Sequence, residues 1–167
     1  MSLSNLFSPR RVVAFCGLAF ALVASPAARA DDEEVLKQNA VLVKENRAVA
    51  MGLLKGLGVE CTPSMPTGGT TLENNHVLFI MNNYTFKLLA AKLGAEPVTG
   101  APVVGTLLEQ NHAILLQNRE VMMSIVKKVG LTVEKPAELT GSLAEKNQQL
   151  LKGNKAVLAM LAEKMKK

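Results

Sequence analysis

The chain has 167 residues, 49% of them apolar, and a formal charge of +5. Arg10, Arg11 and Arg29 lie in its first 30 residues; without them 16 basic residues face 14 acidic ones, and the net charge falls to +2. That balance excludes the basic footprint of a nucleic-acid-binding protein.

The first 30 residues read as a cleaved secretory signal. Arg10 and Arg11 form a positive start, Val12 to Ala24 an apolar run, and Ala28-Arg29-Ala30 a small-x-small cleavage site ahead of the acidic run Asp31 to Glu34. The apolar run is too short to span a bilayer, which takes about 20 residues. The residues flanking the arginine pair match twin-arginine export poorly, so a general secretory route is expected. Cys16 follows Phe15 inside the apolar run, which argues against a lipoprotein cleavage site there. The mature chain is then 31–167, of a size that suits one domain, with no transmembrane segment of its own and a periplasmic or extracellular location. Cys61 is its one thiol, so no intramolecular disulfide is open to it in an oxidising compartment.

The mature chain repeats itself. Asn39, Asn75, Asn111 and Asn147 are 36 residues apart, and Asn46, Asn82, Asn118 and Asn154 keep the same step. Gly58, Gly94 and Gly130 follow it, as do Gly69, Gly105 and Gly141. A fixed period of this size marks a repeat architecture.

Each unit opens with helix-capping chemistry. Thr70 with Glu73, Thr106 with Glu109, and Ser142 with Glu145 form capping boxes, in which hydroxyl and carboxylate satisfy orphan backbone donors. In the first unit the pattern is degraded, and Asp31 or Asp32 is expected to cap. Gly58, Gly94 and Gly130 sit where a left-handed residue ends a helix. The predicted helices span about 34–57, 71–93, 107–129 and 143–165.

Within each helix the apolar pattern is a heptad whose seam includes the asparagines. The second helix reads Leu72, Asn75, Phe79, Asn82, Phe86, Leu89 and Leu93, and the fourth reads Ala144, Asn147, Leu151, Asn154, Leu158, Leu161 and Met165. A flanking column, including Leu78, Ile114 and Leu150, widens the stripe to the breadth of a bundle core. The fold class is therefore all-α: a four-helix bundle of four tandem 36-residue single-helix repeats, joined by 12-residue linkers containing Gly and Pro. Twelve extended residues reach about 37 Å, enough to run back along a helix and leave all four parallel. The preference for short paths between neighbours favours an up-down antiparallel bundle instead, and that is the expected arrangement.

Asn46, Asn82, Asn118 and Asn154 fall at mid-helix and form one layer in either arrangement; Asn39, Asn75, Asn111 and Asn147 form a second only if the helices are parallel. A buried carboxamide brings two donors and two acceptor lone pairs that need partners. Such layers can fix register and helix count, as seam asparagines do in coiled coils, or line a site for a small polar ligand or ion. These eight asparagines are the candidate ligand-binding residues. His76 and His112 each follow a seam asparagine, and only parallel helices would let them share a metal ion.

Seven methionines in the mature chain and Cys61 raise the question of cuprous ion, which soft sulfur ligands select. Met122, Met160 and Met165, however, sit at core positions where Met is filler. Asn83-Tyr84-Thr85 matches a glycosylation acceptor but falls mid-helix. No second thiol, glycine-rich phosphate loop or seam carboxylate points to catalysis. The expected function is an exported, non-catalytic structural or interaction protein, either a homo-oligomer or the partner of another protein. The alternative is a periplasmic small-ligand or metal binder, with copper as one metal, using the asparagine layers with His76 and His112. No cofactor is implied.

Overall fold

A computed structural model describes residues 30–62, 64–134 and 137–166. Apart from Ala30, the expected signal segment lies outside the described residues. Four helices make up the fold: α1 (Ala30–Gly56), α2 (Thr71–Leu93), α3 (Leu107–Val129) and α4 (Leu143–Met165). They stand in a square in which α1 packs on α2 and α4, and α3 packs on α2 and α4. No helix among the described residues is long and apolar enough to cross a membrane.

Local chemistry sets the helix ends. Thr70, Thr106 and Ser142 accept from the backbone of Glu73, Glu109 and Glu145, and those glutamates reach back to the cap backbone. The backbone N–H of Thr70, and next its hydroxyl, hold the Glu73 carboxyl below its ordinary pKa; Thr106 does the same for Glu109. A carboxylate of this kind contributes its full stability above the unfolded range of about 4.3. That contribution is lost as the pH falls through the lowered folded value. At the other end Gly58, Gly94 and Gly130 take φ of +74°, +66° and +67°. Val59, Ala95 and Leu131 then donate to the carbonyls of Leu54, Ala90 and Val126, the six-to-one bond of a Schellman motif.

The first helix departs from expectation. It begins at Ala30, four residues before Glu34, and runs through Asp31 and Asp32, so neither aspartate caps it. Asp32 is engaged elsewhere: its carboxylate accepts from the Ser142 hydroxyl at 2.9 Å and ties the start of α1 to the start of α4.

The antiparallel expectation is wrong: all four helices run parallel. Asn39 and Asn46 reach Ala144 and Leu151, and Asn75 and Asn82 reach Leu36 and Val43. Moving seven residues along one helix thus moves seven along its neighbour, in the same direction. Between α2 and α3, His76 meets Asn111 and Asn83 meets Asn118, with the same sense. The core divides accordingly. Val43, Phe79, Leu115 and Leu151 meet in the N-terminal half, and Leu54, Phe86, Met122 and Leu158 in the C-terminal half.

The connections make the parallel arrangement workable by running back down the bundle. After α2, the Glu96 carbonyl accepts from Ser124, that of Ala101 from Gln117 and that of Gly105 from Gln110. The chain therefore descends α3 from its C-terminal to its N-terminal end. After α3, Val133 packs on the C-terminal core and Leu139 on the N-terminal one. Gln149 then holds both the N–H and the carbonyl of Thr140. The preference for short paths loses because the returning chain is held along the bundle, by apolar packing of Val59 and Cys61 after α1 and by hydrogen bonds after α2 and α3. Gly105, at φ +97°, turns the returning chain into α3 over the Glu109 side chain, which lies where a Cβ would stand.

Candidate functional site

With the helices parallel, both asparagine series become layers. Asn39, Asn75, Asn111 and Asn147 make the upper one, and Asn46, Asn82, Asn118 and Asn154 the lower. None of the eight is more than 2% exposed. The layers lie seven residues apart, about 10 Å along the axis, and apolar side chains fill the space between.

The carboxamides point in two ways. On α1 and α2 the amide nitrogen faces the neighbouring helix. Asn39 donates to Ala144 O at 3.0 Å, Asn46 to Leu151 O at 3.0 Å, Asn75 to Leu36 O at 2.8 Å and Asn82 to Val43 O at 3.1 Å. These carbonyls lie inside helices and take the side-chain donor on their second lone pair. The four Oδ1 atoms have no hydrogen-bond partner among the described residues. On α3, and at Asn147 of α4, the oxygen faces a neighbouring side chain instead. Asn111 Oδ1 meets His76 Nδ1 at 2.7 Å, Asn147 Oδ1 meets His112 Nδ1 at 2.8 Å, and Asn118 Oδ1 accepts from Asn83 at 2.8 Å. The amide nitrogens of Asn111 and Asn154 are the partnerless atoms here.

Arg119 apart, the residue that follows each seam asparagine sets this choice on the next helix. His76, Asn83 and His112 offer a donor, and the next carboxamide turns its oxygen to meet it. Ala40 has none to offer Asn75. Arg47 donates instead to the Thr85 hydroxyl at 3.4 Å, while Gln148 and Lys155 turn outward to Gln38 and Glu45. Asn75, Asn82, Asn39 and Asn46 accordingly present nitrogen to the neighbouring backbone. The amide oxygen facing each ring can only accept, so Nδ1 is the donor in the His76–Asn111 and His112–Asn147 contacts. Both Nδ1 atoms are thereby engaged by carboxamides.

Sequence reading missed the orienting role of Asn83, which donates to Asn118. The signal was available: Asn83 shares a repeat position with Arg47, Arg119 and Lys155, one heptad after Ala40, His76, His112 and Gln148. Arg47 is itself buried at 8% exposure, with an unpartnered Nε. Burial lowers its pKa, and nearby Cys61 opposes that shift.

Chemically, the layers are arrays of neutral donors and acceptors. They can bond backbone, a small polar guest or one another, and they hold no charge of their own. No family model, curated protein or solved structure matches the chain.

Proposed function

We propose that this is an exported, non-catalytic structural and interaction module, in which the asparagine layers lock four tandem 36-residue helical repeats, with their 12-residue linkers, into one parallel register. The constant offset carries this reading: Asn39 and Asn46 meet α4 as Asn75 and Asn82 meet α1. Sliding a helix by one turn would break bonds in both layers together. Each carboxamide group left wholly unpaired would cost about 1–3 kcal/mol. A leucine seam would tolerate the slip. The capping glutamates are committed to backbone, which supports a non-catalytic role. Val77, Ile80 and Tyr84, exposed along α2, give self-association or a protein partner a surface to use. Export to the periplasm or exterior rests on residues 1–30.

Replacing Asn46, Asn82, Asn118 and Asn154 together with Leu tests the register role. The variant should stay helical and melt no lower than the parent, yet lose its single set of amide NMR peaks or its single mass in native mass spectrometry. A variant with one sharp peak set and one unchanged mass would defeat the proposal.

The four unpartnered oxygens favour a second reading, a small polar ligand or metal ion held at the asparagine layers with His76 and His112 beside it. Extra mass on protein purified from its own source without chelators would mark it.

A further inference from the structure

The groove between α2 and α3 and the groove between α3 and α4 are equivalent in the repeat, and one of the positions at which they differ is that of Gln117. On α3, Gln117 reaches up and holds the returning chain through Ala101 O at 2.8 Å. The residue 36 positions later on α4 is Gly153. It is helical, and a Cβ added there would meet nothing within 4 Å. In the α3–α4 groove, with Gly153 in its wall, a cavity of about 490 Å³ lies beneath the returning chain at Thr132–Glu134. The cavity beside Gln117 in the α2–α3 groove, nearer its N-terminal end under Val103, measures about 240 Å³. Small-molecule sites fall at about 300–1,000 Å³, so the first is of ligand size and the second is not.

The wall of this cavity is chemically specific. Asn154 lines it at 2% exposure, and its Nδ2 is a buried donor with no partner. Arg119 lines it as well and forms no ion pair among the described residues. Both groups are donors, so they ask for acceptor oxygens. Guanidinium and amide together suit a carboxylate, which takes shorter and stronger hydrogen bonds from charged donors than a neutral oxygen does. The remaining wall is soft and apolar: Met122, Met123 and Met160, with Val133 of the overlying strand. Methionine conforms to irregular apolar bodies. Glu134 also lines the cavity but is exposed, where water screens it.

We infer that the α3–α4 groove is a binding site for a small carboxylate with an apolar tail, its head held by Arg119 and Asn154 and its tail laid on the methionines. The site borrows one member of the lower layer, Asn154, through an Nδ2 that makes no bond within that layer.

Calorimetric titration of the purified protein with octanoate, octanol and octylamine tests this. Octanoate should bind saturably, one per chain, while octanol binds at least tenfold more weakly and octylamine not at all. Arg119→Gln should weaken octanoate roughly tenfold, the loss expected for one charge-assisted contact. Gly153→Gln should abolish binding by filling the groove as Gln117 fills its own. Its melting temperature should hold or rise, because glutamine favours a helix more than glycine does. Three results would overturn the assignment: no octanoate binding up to roughly 10 mM, equal affinity for octanol or octylamine, or Gly153→Gln binding like the parent. Arg119→Gln keeps the test decisive should Gly153→Gln fold poorly.

Discussion

The α1–α2 and α4–α1 seams share one interior and have different exteriors. Inside, each has an asparagine pair donating to carbonyls of the neighbouring helix at the same offset, with distances of 2.8–3.1 Å. Outside, the α1–α2 groove is overlaid by the returning chain at Met65 and Pro66. No connection links α4 to α1. That seam is closed by side chains: Ser142 on Asp32, Gln148 on Gln38 and Lys155 on Glu45. The register is therefore written in the interior, and a covalent linker is one of two ways to cover it.

The strongest way to break this equivalence is to charge the interior. Asn46→Asp and Asn82→Asp each set a buried carboxylate against a backbone carbonyl. Each should cost about 3–5 kcal/mol at pH 7, the scale of an uncompensated buried charge. Part of that should return as the solution is acidified and the introduced acid becomes neutral. Equal losses in urea denaturation would uphold the equivalence, and a much milder Asn46→Asp would show that α4 and α1 separate readily.

The caps separate the exteriors. Thr106→Ala removes a capping hydroxyl and should cost about 1 kcal/mol. Ser142→Ala removes its cap and the bond to Asp32 as well, so it should cost more, by about 0.5–1.5 kcal/mol. Equal urea midpoints for the two would show that the Asp32 contact adds nothing to closure.

The smallest effect belongs to the Lys155–Glu45 pair, whose side chains are 51% and 44% exposed. Lys155→Ala should shift stability by less than about 1 kcal/mol, and the shift should shrink at high salt. A larger, salt-insensitive loss would make this pair a structural clasp.

What could be read from sequence was what local chemistry decides. Thr70 with Glu73 is a capping box wherever the helix leads, and Gly94 needs its left-handed φ whatever packs nearby. The heptad carrying Asn75, Phe79, Asn82 and Phe86 settles which face is buried. Helix direction was not legible because it depends on the path of a connection. That path is set by contacts such as Ser124 with Glu96 and Gln117 with Ala101, 28 and 16 residues apart. Carboxamide orientation escaped for the same reason, since Asn111 is turned by His76 on another helix. The α3–α4 cavity lay in a break of the repeat, glycine at 153 against glutamine at 117, which counts as noise until the groove is seen.

Parallel packing also gives the molecule electrical polarity. Four helices pointing one way add about half a positive charge each at one end and half a negative charge each at the other. The side chains answer that field: Glu73, Glu109 and Glu145 stand in first turns, and Lys55, Lys92, Lys127, Lys128 and Lys164 in last turns. The result is a short rod with a carboxylate crown and an ammonium base. Two such rods meeting along their axes attract crown to base and repel crown to crown, so any end-on stacking would run head to tail.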